Sequence, residues 1–171
     1  MRVTRTFAFL DLSGFTAYTE AAGDDAAVAV LAQLRALLRA EAERWGVRVT
    51  KWLGDGVMLS GVDADAVVAC CATVRDEVAA GSTLPLRGGI AGGAVIMFEG
   101  DDYVGAAVNM AARLCHHAEP NQLLISAATA AELSGAVAMR ELPSARLGGF
   151  DAPVPVREIL GPRAQQSLSA V

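Results

Sequence analysis

Asn109 and Arg113 have the types and spacing for phosphate chemistry. They stand four apart in a run of small residues that follows the turn at Gly105, so on a helix they lie one above the other on one face. The small apolar neighbours let that face come close to another backbone or to a ligand. An arginine there needs an anion beside it, because burying the charge alone is costly, and an asparagine both donates and accepts. The combination fits a phosphate ester. Asp11 ends the apolar run 6–10, and Asp55 sits in the turn Leu53-Gly54-Asp55-Gly56. If their strands are neighbours, the two carboxylates can share hard cations such as Mg²⁺. Two metals with a phosphate-binding arginine describe phosphoryl or nucleotidyl transfer. Each residue also has a plainer reading: Asp11 as a strand end, Asp55 as a turn residue, Arg113 as a surface or structural charge. No Walker-type glycine loop with lysine is present, which excludes a P-loop enzyme.

The elements that must position these residues are legible from period and punctuation. Residues 6–10 read as a buried strand. Leu12-Ser13-Gly14-Phe15-Thr16 then turns into a helix, where free N–H groups suit phosphate oxygens and Ser13 reads as an N-cap. Gly23-Asp24-Asp25 punctuates, with an Asp as cap. Val28, Leu31, Leu34, Leu37 and Leu38 carry helical spacing on to Trp45, with Arg35 and Arg39 off that stripe and Gly46 as the stop. Residues 47–52 and 57–60 read as strands joined by an Asp-Gly hairpin, with Lys51 near the end of the first. A helix over 64–80 is capped by Asp63 or Asp65. Residues 86–98 form a glycine-dense strand pair or one long strand, glycine marking close approach of another backbone. Strands at 122–126, 137–139 and 154–159 and a short helix at 127–133 follow, and prolines demote the last strand to an edge. This order predicts one domain over 1–160 and a frayed tail over 161–171.

Composition narrows the class. The 171 residues are 53% hydrophobic and 19% charged, as in a globular domain with a sizeable core. A net charge of −5 without a basic stripe argues against nucleic acid as the main partner, while a nucleotide needs only a few cations. Cys70, Cys71 and Cys115 lack metal-site spacing and read as buried free thiols. His116 and His117 close a helix at its carbonyl end. Neither a signal peptide nor a membrane span is visible, so a soluble cytoplasmic protein is expected.

Taken together, the motifs resemble the catalytic domain of class III adenylate and guanylate cyclases. The stretch from Phe9 to Thr16 resembles that family's first metal motif, and the stretch from Lys51 to Gly56 its second. Arg87-Gly88-Gly89-Ile90 is similar to the strand before its arm, and the stretch from Asp102 to Leu114 to its transition-state helix. The likeness runs from about Phe7 to Ile159. It implies an α+β fold with a ferredoxin-like βαββαβ core and added strands, and a head-to-tail homodimer with sites at the interface. It also implies ATP as substrate and two Mg²⁺ or Mn²⁺ ions per site, held by Asp11 and Asp55 of one protomer. The other protomer would supply Lys51 and Asp102 for the base, Asn109 for the ribose and Arg113 for the α-phosphate. Backbone N–H groups around Gly14, Phe15 and Thr16, with Arg87, would hold the outer phosphates. The expected activity is adenylate cyclase, making cyclic AMP and pyrophosphate. The alternatives are a weak or inactive nucleotide-binding regulatory module, or a cyclase for another base. Two departures stand out. The arm between Arg87 and Asp102 is short, which implies a weaker dimer. Gly148 stands where the family usually has a lysine to grip the triphosphate, with Arg146 two residues away, which implies a weak grip on pyrophosphate and low activity.

Overall fold

A long strand, β1 (Arg2–Leu12), lies inside the sheet with a partner on each side. The computed structural model describes residues 1–100, 102–135 and 137–162. On one side β1 pairs antiparallel with β3 (Gly56–Gly61), and on the other with β4 (Leu86–Phe98). Outside β3 lies β2 (Arg48–Leu53). Outside β4 come β6 (Leu123–Ser126), parallel to it, then β8 (Val156–Pro162) and finally β7 (Val137–Glu141). A short strand, β5 (Asp102–Val104), pairs only with the far end of β4. Between β1 and β2 run the helices α1 (Phe15–Ala22) and α2 (Asp24–Trp45). Then α3 (Ala64–Gly81) links β3 to β4, α4 (Ala106–His117) links β5 to β6, and α5 (Ala127–Ala130) follows β6. The spatial order β2-β3-β1-β4 with helices between is the ferredoxin-like arrangement the sequence implied, extended past β4 by added strands.

Both faces of the sheet are covered, and β1 shows it residue by residue. Ala8 and Leu10 pack with Leu38, Val67 and Val74 on the side of α2 and α3. Phe7 and Phe9 pack on the side of α4 with Ala111 and Leu114. Successive side chains point to opposite faces of a strand, so a strand apolar at every position is buried on both.

The glycines of β4 set the depth at which α4 sits. A Cβ on Gly89 would lie 2.2 Å from the Cys115 nitrogen and 2.3 Å from the Ala111 oxygen. The helix therefore rests on bare backbone, through Ala107 and Ala111.

Several sequence expectations change. Ser13 does not cap α1: Gly14 takes that place with a left-handed φ of 78°, and no side chain caps the helix. Gly23, not an Asp, is the N-cap of α2, and Asp24 and Asp25 fall in its first turn, where acidic groups suit the helix dipole. Asp63 does cap α3, accepting from the Asp65 nitrogen at 2.9 Å. Residues 86–98 are one long strand. The last strand is not an edge: Pro153 and Pro155 precede it, leaving its N–H groups free to pair, and β7 lies outside it. That strand takes in Gly161 and Pro162, and the rest of the expected tail, like Asp101, lies outside the described residues.

Gly89→Ala is predicted to destabilise the fold by about 1–3 kcal/mol through overpacking against α4. Urea denaturation checks this, and an unchanged midpoint would mean that the helix yields.

Candidate active site

Antiparallel register brings Asp11, Gly56 and Arg87 into one row across β3, β1 and β4. Asp55, the residue before Gly56, is delivered to the Asp11 carboxylate by the β2–β3 turn. Gly56 leaves the space this needs, since a Cβ there would lie 3.3 Å from Asp11 Oδ1. The carboxylate expectation from sequence is met in geometry: the two acids are neighbours. Burial raises the pKa of Asp55 above the usual carboxylate value, and the Asp11 charge and a hydrogen bond with Asp11 add to the rise. Its own backbone hydrogen bond and Arg87 oppose it. Arg87, expected at a phosphate, donates from Nη2 to Asp11 Oδ2 at 3.0 Å and from Nε at 3.3 Å, and reaches the His116 carbonyl at 3.4 Å. This cross-strand ion pair follows from the register but is not visible in sequence.

A second cluster joins the hairpin to β5. Lys51 Nζ donates to Asp102 Oδ1 at 2.6 Å, joining β2 to β5, and both side chains are about half exposed. A bulge between Val49 and Lys51 precedes this contact. Bulges re-aim the side chain that follows, and this one was missed because no glycine marks it. Among the described residues Asp102 Oδ2 has no donor.

The third cluster is the outer face of α4. Asn109 and Arg113 are exposed there, four apart. The small residues Ala107 and Ala111 lie on the opposite face, against β4, so close packing and the polar pair do not share a face as the sequence reading assumed. Among the described residues nothing pairs with Arg113. Near the first cluster, the first turn of α1 begins at Gly14, with Phe15 and Thr16 at its N-terminal end, where backbone N–H groups lack helical acceptors. Beside it the Ser13 hydroxyl is buried with no hydrogen-bond partner. A cleft of about 240 Å³, lined in part by Asp11, Leu53, Gly56, Cys115 and His116, opens between Asp11 and the end of α4.

The first cluster fits a hard divalent cation. Its donors are oxygens, and burial and the neighbouring Asp11 charge disfavour the Asp55 carboxylate until a cation joins the pair. Among the described residues no set of three or more His, Cys, Asp or Glu side chains gathers to hold a metal, so further ligands would come from backbone or from a phosphate-bearing substrate. The cysteines are buried, and burial pushes the Cys70 and Cys115 thiols up to about 12, which makes them inert as expected. Arg146 is exposed in the loop before β8, and a side chain at Gly148 would meet open space. Among the described residues no helix is long and apolar enough to cross a membrane.

No protein-family model matches the chain. It is 35% identical over 167 residues to uncharacterized proteins of Mycobacterium tuberculosis and Mycobacterium bovis, covering 96% of this chain and 44% of each relative. The chain thus spans less than half the length of these relatives. Among solved structures it is similar to the adenylyl cyclase CyaB from P. aeruginosa, at 28% identity and a TM-score of 0.85 over 95% of this chain and 96% of that one. It is also similar to the guanylate cyclase domain of RhGC from Catenaria anguillulae in complex with GTP, at 21% identity and a TM-score of 0.85 over 95% and 100%. A third likeness is to the catalytic core of a rhodopsin-guanylyl cyclase with converted specificity in complex with ATPαS, at 22% identity and a TM-score of 0.85 over 95% and 100%. The last two show the fold alone.

The raised Asp55 pKa gives a signed prediction. The folded state holds this proton more tightly than the unfolded chain, so its contribution to stability is full below the ordinary carboxylate pKa and is lost as pH rises through the raised value. Metal-free wild type is therefore predicted to gain on Asp55→Asn as pH falls from neutral into the range of about 4–5. At neutral pH the variant should be as stable or more stable. Urea denaturation at both pH values checks it, and a gap that widens in favour of the variant on acidification would contradict it.

Proposed function

Since the chain belongs to the class III nucleotidyl cyclase catalytic domains, we propose that it is an adenylate cyclase, converting ATP to 3′,5′-cyclic AMP and pyrophosphate. The observation that carries this reading is the pairing of Lys51 with Asp102, which sets a donor and an acceptor side by side. Adenine presents an acceptor at N1 and a donor at its 6-amino group, so Lys51 can give to the first and the free Asp102 oxygen can take from the second. Guanine presents N1–H and O6, which reverses both contacts. A site built on such hydrogen bonds rejects the mismatch by as much as about 10⁴-fold. The likeness to an adenylyl cyclase at 28% identity agrees with this.

The reaction joins the ribose 3′-oxygen to the α-phosphorus and breaks the bond to the pyrophosphate oxygen, while the 3′-hydroxyl proton is released. Asp11 and Asp55 would hold two Mg²⁺ or Mn²⁺ ions, which when bound lower the pKa of that hydroxyl and offset triphosphate charge. Arg113 stabilises the charge that grows on the α-phosphate, and Asn109 orients the ribose. Arg87 moves from Asp11 toward the outer phosphates, beside the N–H groups at Gly14, Phe15 and Thr16. We place residues 1–160 in one catalytic unit. Arg113 faces away from its own sheet, which supports a head-to-tail homodimer in which it meets the partner's carboxylates. The arm formed by β4 and β5 leaves Ile96, Phe98 and Val104 about half exposed, an apolar surface suited to that contact. A second reading, a nucleotide-binding module with little turnover, draws on one observation: position 148, where the resemblance leads one to expect a lysine, is a glycine facing open space.

Purified protein is expected to release cyclic AMP and pyrophosphate from ATP with Mn²⁺ or Mg²⁺, and competition among the four nucleoside triphosphates reads the base preference. Binding of ATP without turnover would favour the second reading. Arg113→Ala is predicted to lower kcat by about 10²–10³-fold with an unchanged melting curve. Mixing Asp55→Ala with Arg113→Ala protein is predicted to restore about a quarter of wild-type activity, because half the dimers are mixed and each mixed dimer has one intact site of two. No restoration, with dimers exchanging freely, would place the whole site in one chain.

A further inference from the structure

We propose that Arg35 is a positioning residue for the metal-bearing turn: from α2 it fixes the Gly54 peptide and so the direction of the Asp55 carboxylate. The inference rests on the reading of Asp11 and Asp55 as metal ligands. Arg35 Nη2 donates to the Gly54 carbonyl at 3.2 Å. Its guanidinium carbon lies 4.9 Å from the centre of the Trp52 ring, and that of Arg39, one helical turn on, lies 5.2 Å from the same centre. The segment between Lys51 and Asp55 is thus held twice by one planar group, at the indole face and at the turn's carbonyl.

The turn needs such a hold. Gly54 has a left-handed φ of 66° and no side chain, and Leu53 is exposed, so local packing does little to fix this peptide. The last ladder contact of the hairpin is Leu53 with Gly56, which leaves Gly54 and Asp55 outside the pairing. A free peptide would let the carboxylate swing away, and a peptide tied to α2 keeps it in place for the cation. Arginine suits this because its fork donates in plane while its face stacks, whereas lysine offers a point charge that does not do both. Arg39 shares the ring but reaches no carbonyl of the turn, so it separates the two contacts.

The test titrates Mn²⁺ alone into the full chain and follows free Mn²⁺ by electron paramagnetic resonance, with melting curves recorded in parallel. Wild type should bind and Asp55→Asn should not. Arg35→Ala is expected to weaken Mn²⁺ binding by about 10-fold or more with the metal-free melting curve unchanged, as loss of a group that orients a ligand does. Arg35→Lys should recover little, and it decides the matter if the alanine variant folds poorly. Arg39→Ala should keep wild-type affinity. Wild-type affinity in both Arg35 variants, or equal loss in Arg39→Ala, would overturn the role of the carbonyl contact while leaving the metal site standing. No Mn²⁺ binding by wild type would overturn the metal reading and the Arg35 role with it.

Discussion

Two carboxylates held side by side at the ends of neighbouring strands are the constraint on which the rest turns. Backbone pairing places Asp11 opposite Gly56, and the hairpin turn, which lies just outside the ladder, puts Asp55 next to it. Burial first, and then the Asp11 charge beside it, raises the Asp55 pKa, and a proton or a cation between the acids relieves both. In the chain by itself Arg87 supplies part of the compensation from the strand on the other side. The unfavourable electrostatics are offset by a sheet buried on both faces, with Phe7, Leu10, Leu59 and Ile90 almost fully excluded from solvent. A strained charge arrangement on a rigid bed is how a fold keeps a cation site ready.

The helix that would face this site is held just as firmly. Glycine at position 89 and alanine at 107 and 111 let α4 lie on bare strand backbone, which leaves Asn109 and Arg113 pointing outward. Among the described residues no anion pairs with the Arg113 guanidinium, and the carboxylate pair is compensated by Arg87 from the neighbouring strand. Under the proposed reading the Arg113 guanidinium and the carboxylates meet only when two copies of the chain face each other. Activity would then depend on protein concentration and on whatever favours or opposes that contact.

Much of this was legible in the sequence, for identifiable reasons. The apolar run around Asp11, the Gly54-Asp55-Gly56 turn and the small-residue helix with Asn109 and Arg113 carry strong local signals of period and turn chemistry, and the structure keeps all of them as elements. What failed was what depends on partners distant in sequence. The Arg87–Asp11 ion pair comes from β1–β4 register across 76 residues. Ser13 looks like a cap, but the chain enters α1 through a left-handed Gly14, and the serine hydroxyl ends up buried without a partner. The proline-flanked strand near the end looks like an edge, yet its prolines stand ahead of the paired stretch and β7 folds back outside it. Arg35 and Arg39 read only as residues off the apolar stripe of α2, because nothing local shows that Trp52 and Gly54 come to meet them.

The central claim is that one chain's carboxylates and another chain's arginine act on the same triphosphate. It is tested most directly by a crystal structure with Mn²⁺ and a non-reactive ATP analogue. The account predicts metal on Asp11 and Asp55 of one protomer, with the Arg113 guanidinium of the partner subunit against the α-phosphate and adenine between Lys51 and Asp102. Metal bound elsewhere, or a nucleotide seated with Arg113 of both copies facing solvent, would contradict it.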